Sequence, residues 1–427
     1  MLAVILKRKA VLFSKAGKAL TMRAIERIIY PSTKVCYPYP GGDAVRQGAD
    51  GRKGAAAMDT LTDYVRWMGD FPIAMTGFRD VDALVLCALC YIDLSPVFLT
   101  GAERVRVSEC AGMIADGRVK VMITGGDKGY PELLSAATSS KRFGELIMSD
   151  YCDIFRAEPP LQFSAVCFHD DADFSFLAYR GTDNSLAGWK EDFMISFMRT
   201  EAQELALQFA QEHIQTERRW RIGGQSKGSN LALYAASLLD EERWSAIERV
   251  YLLDGPGFCP EVLDPGLIEH IDAKTTQIVP RFCIIGKLFA PTITNTKIVS
   301  SSAAGFMQHA LITWGVDHGR LAESAEHDTE SLIANEAIDE WITGISQADR
   351  KVFVDELFDT LSAGGAETLD EIRTGGREGL EAILKRLADA SETTKRTLSD
   401  LPKYMMRVGM EKAKSKIASE LEEVRKK

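Results

Sequence analysis

A short β-rich run at residues 219–223 passes through Gly224-Gln225-Ser226-Lys227-Gly228 directly into residues 230–239. There Leu231, Tyr234, Ala235 and Leu238 recur at helical spacing. Strand, G-x-S-x-G and helix together require a sharp strand-to-helix turn that lifts the serine hydroxyl clear of a sheet. Its glycines stand where a side chain would collide with the neighbouring strand and helix. The five-residue pattern alone arises by chance in roughly one chain of this size in five, so its weight comes from the strand and helix that flank it.

The surrounding sequence alternates in the same manner. Residues 163–168 and 174–179 are β-rich and flank the polar turn His169-Asp170-Asp171-Ala172-Asp173. Residues 189–212 have helical spacing, a strand at 250–253 ends at Asp254-Gly255-Pro256-Gly257, and 297–300 is a late strand-like run. Strands alternating with helices predict a largely parallel sheet. Upstream, residues 60–99 and 102–152 are expected to be mostly helical, the second segment broken around Gly125-Gly126 and Gly129. Beyond His327 the chain becomes charge-rich and helical, interrupted at Gly364-Gly365 and Gly375-Gly376. Residues 385–427 carry the sparse apolar stripe of a solvated helix or a helix-pair seam. The expected fold class is therefore α/β: an α/β-hydrolase-like, mostly parallel sheet with flanking helices, an N-terminal helical segment and a C-terminal helical tail. The expected domains are a flexible basic leader and linker over 1–57, the hydrolase-like domain over 58–327 with 58–155 as a helical cap, and a helical region over 328–427.

Charge separates the leader from the body. Residues 1–57 hold eleven Lys/Arg against three acids, so of the net charge of −10 the remainder of the chain carries −18. An acidic body argues against nucleic acid as a partner, because phosphate binding needs a basic face. The basic leader leaves docking on a membrane surface open as an alternative to a flexible segment. Cys87 and Cys90 form a C-x-x-C pair inside the apolar run 83–91, with no second pair and no histidine nearby. They read as a buried helix face and not as a zinc site. Residues 81–99 are broken by Asp82, Asp93 and Pro96, which suits a core helix better than a membrane span. Scattered thiols and a leader interrupted by basic residues fit a cytoplasmic protein.

A serine hydroxyl becomes a useful nucleophile only beside a base that takes its proton, and the base needs an orienting carboxylate. With Ser226 as nucleophile the expected chain order is Ser, acid, His. His309 follows the late strand on a loop and is the favoured base, with His318 its near competitor; His270 falls in a helical run and His327 in an acidic stretch. Asp254 stands at the C-terminal end of the strand after the nucleophile helix, the edge where ligands bind in such sheets; Asp272 and Asp317 compete with it. The oxyanion hole is expected from the backbone N–H groups of Lys227, just after the nucleophile, and Thr182, on the turn after the strand ending at Tyr179.

Several of these segments carry a family resemblance. Tyr179-Arg180-Gly181-Thr182-Asp183 followed by Gly188-Trp189-Lys190-Glu191-Asp192-Phe193 resembles the F-R-G-T segment of class 3 lipases. A bacterial lipase-like family of uncharacterised function is more similar still. It shows G-H-S-K-G-G-N where this chain has Gly224 to Asn230, D-G-P-G-F as at Asp254 to Phe258, and S-x-x-G-x-x-Q-H as at Ser302 to His309. The resemblance covers roughly residues 58–317. It departs at Gln225, where the family has His and where the side chain is expected to pack beneath the turn, and at Ser229, where the family has Gly. In class 3 lipases the acid comes later, after the strand that follows the G-P turn. The matching residues 279–283 offer no carboxylate, so either Asp254 serves or the triad is incomplete.

The resulting expectation is a serine hydrolase that cleaves carboxylic esters, plausibly of lipids, through Ser226, His309 and Asp254, with no cofactor and no metal. The alternative is a catalytically inactive scaffold of the same fold that binds a protein partner. Oligomerisation through the helical tail is left open. Geometry separates the two readings: an enzyme needs Ser226 Oγ within hydrogen-bond reach of His309.

Overall fold

Strand-by-strand alternation divides the apolar side chains of this chain between two cores. In the computed structural model, which describes residues 58–400 except 99, 100, 102, 123–128, 184 and 375, together with Lys403, Tyr404 and Arg407, one eight-stranded sheet runs in simple sequence order. Its strands are β1 (Arg104–Arg106), β2 (Ile147–Arg156), β3 (Leu161–His169), β4 (Phe174–Tyr179), β5 (Arg219–Gln225), β6 (Ile247–Leu253), β7 (Thr275–Pro280) and β8 (Thr296–Val299). Pairings from β1 to β4 are antiparallel, and those from β4 to β8 are parallel. The expected α/β class with a mostly parallel sheet is what the chain adopts. The leader and linker at 1–57, and the tail beyond Arg407, lie outside the described residues.

Leu177 and Tyr179 of β4, and Val250 and Leu252 of β6, join the core on one face. Phe176, Ala178, Tyr251 and Leu253, one residue out of phase, join the core on the other. A strand buried on both faces reads as a continuous apolar run, the pattern of central parallel strands. On the first face lie helices α4 (Leu186–Met194), α5 (Glu201–His213) and α6 (Lys227–Leu238), joined by Phe353, Leu357 and Leu361 of a later helix, α7 (Gln347–Leu361). The second face is covered by α1 (Leu61–Met68), α2 (Asp80–Leu89) and α3 (Gly129–Ser139).

Three expectations need correction. Residues 147–152, expected to be helical, belong to the longest strand of the sheet, β2, and β1 lies in the same stretch. The helices over 58–146 are a layer packed on the sheet, not a cap over its edge; they bury Leu84, Leu86, Phe143 and Tyr64 against Phe168, Phe176 and Leu253. The helix expected over 81–99 stops at Leu89. Cys87 is 0% and Cys90 4% exposed, as a buried helix face requires. The helical region after 328 is confirmed in its described part. It is less solvated than its charge suggests, because Thr394 and Thr397 are buried and Trp341 Nε1 donates to Thr397 O at 3.1 Å. No helix among the described residues is long and apolar enough to cross a membrane.

Candidate active site

The parallel register sets the site at one sheet edge. Tyr179 pairs with Gly224, Gln225 with Leu253 and Leu253 with Ile278, so the segments that follow β4, β5, β6 and β7 emerge side by side. Ser226 stands between β5 and α6 at φ 58°, ψ −125°. That is a positive φ for a residue with a side chain, held only where packing over-determines it. Its N–H donates to Leu253 O at 2.9 Å, and its carbonyl accepts from the N–H groups of Ser229 and Asn230. The two flanking glycines are obligatory for a local reason. A Cβ at Gly224 would lie 2.2 Å from Gly228 O, and one at Gly228 would lie 2.2 Å from Tyr179 O.

Asp254 follows β6 at φ 43° and is 1% exposed. Its Oδ2 lies 2.6 Å from His309 Nδ1. Its Oδ1 accepts from Gly286 N–H at 3.0 Å and from the Cys283 thiol at 3.1 Å. The segment after β7, where the resembling lipases carry their acid, thus supplies hydrogen-bond donors to the earlier acid. Burial, reinforced by the Asp254 carboxylate, pushes the Cys283 thiol up, so it stays protonated and able to donate. His309 ends the 3₁₀ turn Gly305–His309 after β8, with the Phe306 ring stacked 5.8 Å from its own.

The competitors lie elsewhere. Asp272 binds the N–H and hydroxyl of Thr294 and is half-buried away from the site. Asp317 and His318 pair with each other on the turn of a two-residue hairpin, with side chains 69% and 94% exposed. His270 packs against Trp244, and His327 faces Arg281 O.

Gln225 departs from expectation. It is 2% exposed, as a residue beneath the turn should be, but its side chain reaches the base. Nε2 donates to His309 O at 2.9 Å and sits 3.2 Å from His309 Nε2, while Oε1 accepts from the Tyr91 hydroxyl. His309 Nε2 faces the Gln225 amide, and among the described residues no hydrogen bond joins it to Ser226 Oγ. Ser229 does not narrow the site; it underlies Gly255, where a Cβ would come within 2.3 Å of Ser229 Cβ.

Thr182 lies on the turn after β4, beside the start of α6. Among the described residues neither its N–H nor that of Lys227 has a backbone acceptor, and Lys227 opens a helix, where N–H groups are unpaired by construction. Two features here are invisible to motif reading. The Lys227 ammonium, 0% exposed, pairs with Glu191 at 2.5 Å and donates to Gln162 O at 2.6 Å, tying the turn to α4 and β3. Asp192 of α4, near Thr182, has its carboxyl pushed up to about 6 by burial, against the lowering pull of Lys227 and His309. Away from this edge, Asp150, Cys167 and His169 have ligand-type atoms within 4.8 Å of one another. Ser149 bridges Asp150 and His169, Ser175 takes the other His169 nitrogen, and His213 pairs with Asp150, so internal bonds already satisfy the group.

Comparison with known proteins gives a family and a distant structural likeness. A solved structure titled "Crystal structure of M37 lipase" is similar over 49% of this chain and 70% of that one, at 15% identity and a TM-score of 0.31. No curated protein matches the chain. The profile of the Mbeg1-like family matches residues 137–359, which run from the end of α3 through β2 to β8, the Ser226 turn and the His309 loop into α7. With a little over half of its 427 residues matched, and that half holding the whole candidate site, the chain belongs to the Mbeg1-like family.

Proposed function

We propose that this protein is a serine hydrolase that cleaves carboxylic esters, with Ser226 as nucleophile, His309 as base and Asp254 as the acid that orients it. The observation that carries the proposal is the 2.6 Å Asp254–His309 contact beside a serine held at positive φ between two glycines that tolerate no side chain. Ser226 Oγ attacks the acyl carbonyl carbon and its proton passes to His309 Nε2. Collapse of the tetrahedral intermediate breaks the bond to the alcohol oxygen, which takes the proton from His309. Water, deprotonated by the same ring, then releases the acid and restores Ser226. The N–H groups of Thr182 and Lys227 hold the oxyanion. A lipid ester is the substrate we favour, on the resemblance of the segments around Thr182, Ser226 and His309 to lipase-like families.

One observation favours the rival reading of an inactive scaffold: Ser226 Oγ does not engage His309 in the resting structure. Catalytic hydrogen bonds commonly tighten only with substrate bound, so a contact that is open in the resting structure is compatible with a working triad. Turnover of p-nitrophenyl esters of graded chain length tests the proposal. Hydrolysis by the full chain that vanishes in Ser226→Ala and His309→Ala supports it. An inert wild type across the series would leave the scaffold reading in its place.

A further inference from the structure

The polar side chain wedged between the Ser226 turn and His309 is Gln225, and its orientation is not free. The His309 carbonyl, 2.9 Å from its Nε2, can only accept, and the buried Tyr91 hydroxyl, also 3.3 Å from Gln225 O, donates to its Oε1, so the NH₂ end is the one that faces His309. Burial pushes the Tyr91 hydroxyl well up and keeps it a donor. Its place is fixed in turn by Gly181, where a Cβ would come within 1.9 Å of the Tyr91 oxygen. From the Gln225 amide to Asp254 the donors and acceptors then follow in one order. An amide NH₂ only donates, so His309 Nε2, 3.2 Å away, presents its lone pair. A carboxylate only accepts, so His309 Nδ1, 2.6 Å from Asp254, carries the hydrogen.

We infer that Tyr91 and Gln225 form a protonation lock that holds His309 neutral with its hydrogen on Nδ1, the one form of the ring able to take a proton from Ser226. A doubly protonated ring would set Nε2–H against the Gln225 NH₂ with no acceptor between them. Turning the amide over would supply one, but it would set Oε1 against the His309 carbonyl and leave the buried Tyr91 hydroxyl only its 3.3 Å contact with Gln225 O. Both groups are positioning residues. The other charged or titratable groups around the ring are Asp254 from the end of β6, with Cys283, Lys287 and His327 beyond it, and Asp192 from α4, with Lys227 beside it. When substrate enters, Ser226 O–H replaces the Gln225 N–H at Nε2, and the amide stays anchored through His309 O at 2.9 Å. The use of the lock in catalysis rests on the hydrolase reading; the protonation state itself does not.

The test needs no turnover. The full chain is labelled with ¹⁵N-histidine, His309 is assigned by its loss in His309→Gln, and long-range ¹H–¹⁵N spectra are followed from pH 5 to 8. The lock predicts the Nδ1–H form in the wild type. In Tyr91→Phe, where Oε1 loses its donor and the amide turns more readily, the ring's titration midpoint should move up by about half a pH unit, roughly a threefold gain in the charged form at fixed pH. Gln225→Glu should move it further in the same direction, and Gln225→Met should also raise it. Near-UV circular dichroism establishes that each variant is folded. A wild-type ring carrying its hydrogen on Nε2, or folded Tyr91→Phe and Gln225→Met variants that titrate with the wild type, would overturn the inference. Either result stands whether or not the protein hydrolyses an ester.

Discussion

Replacing Gly228 by alanine adds one methyl group and tests the packing that creates the Ser226 turn. That carbon would lie 2.2 Å from Tyr179 O, 2.9 Å from Tyr179 C and 3.0 Å from Arg180 C, all backbone atoms of the neighbouring strand end. Ordinary contact begins near 3.4 Å, so the start of α6 and the end of β4 must separate by about 1.2 Å. No side chain can rotate to relieve the clash. Forcing a methyl group into a packed site costs about 1–3 kcal/mol. The same displacement moves the Lys227 and Thr182 N–H groups apart, and a 1 Å misplacement of a catalytic frame costs on the order of 100-fold in rate. Gly266→Ala is the control: the same carbon added at the start of an exposed helix meets its nearest atom at 3.4 Å. Thermal melts and ester turnover should show Gly228→Ala losing both stability and nearly all activity, with Gly266→Ala unchanged. If Gly228→Ala melts with the wild type and keeps its turnover within threefold, the packing account of the turn is wrong.

Other consequences can be checked with similar means. The Asp192 carboxyl, raised from 3.8 to about 6, destabilises the fold where it is ionised, with the full cost above pH 6 and relief as pH falls toward 3.8. The shift sets a ceiling of about 3 kcal/mol. Because the side chain is partly exposed, Asp192→Asn should raise urea stability at pH 7.5 by about 1–2 kcal/mol, and by roughly a third of that at pH 4.5; a loss at pH 7.5 would refute the assignment. Lys227→Met strands the buried Glu191 carboxylate and should cost about 3–5 kcal/mol, most of it recovered in Lys227→Met/Glu191→Leu. A double variant no more stable than the single would show that the pair is not the cause. Asp254→Asn should keep the fold and lower kcat by on the order of 10³–10⁴, because an amide in place of the carboxylate can turn the ring to the wrong tautomer.

The Ser226 turn, the β3–β4 hairpin, β6 and the His309 loop were legible in the sequence because each rests on local pattern: glycine spacing, unbroken apolar runs and turn residues. Strand β2 was not. Asp150 takes φ 54° at an irregularity between Ser149 and Cys152, and the shift in register breaks the alternation on which a strand is read. The Asp254–His309 pairing could be anticipated from chain order and strand ends. What joins Tyr91 to Gln225, separated by 134 residues, or Lys227 to Glu191, separated by 36, is tertiary packing, and no window of sequence contains it. Asp192 was in plain view within Gly188 to Phe193, but its perturbation is a product of burial beside Lys227. The Gln225 side chain was the instructive miss. Its depth beneath the turn followed from its position, whereas its contact with the base depends on a loop 84 residues away.

The central claim is that Ser226 is an activated nucleophile. Purified full-length chain exposed to a fluorophosphonate probe should gain one adduct by intact mass, mapping by peptide analysis to Ser226 and absent in Ser226→Ala and His309→Ala. A wild-type protein that stays unlabelled, or that labels equally well without Ser226, would contradict it.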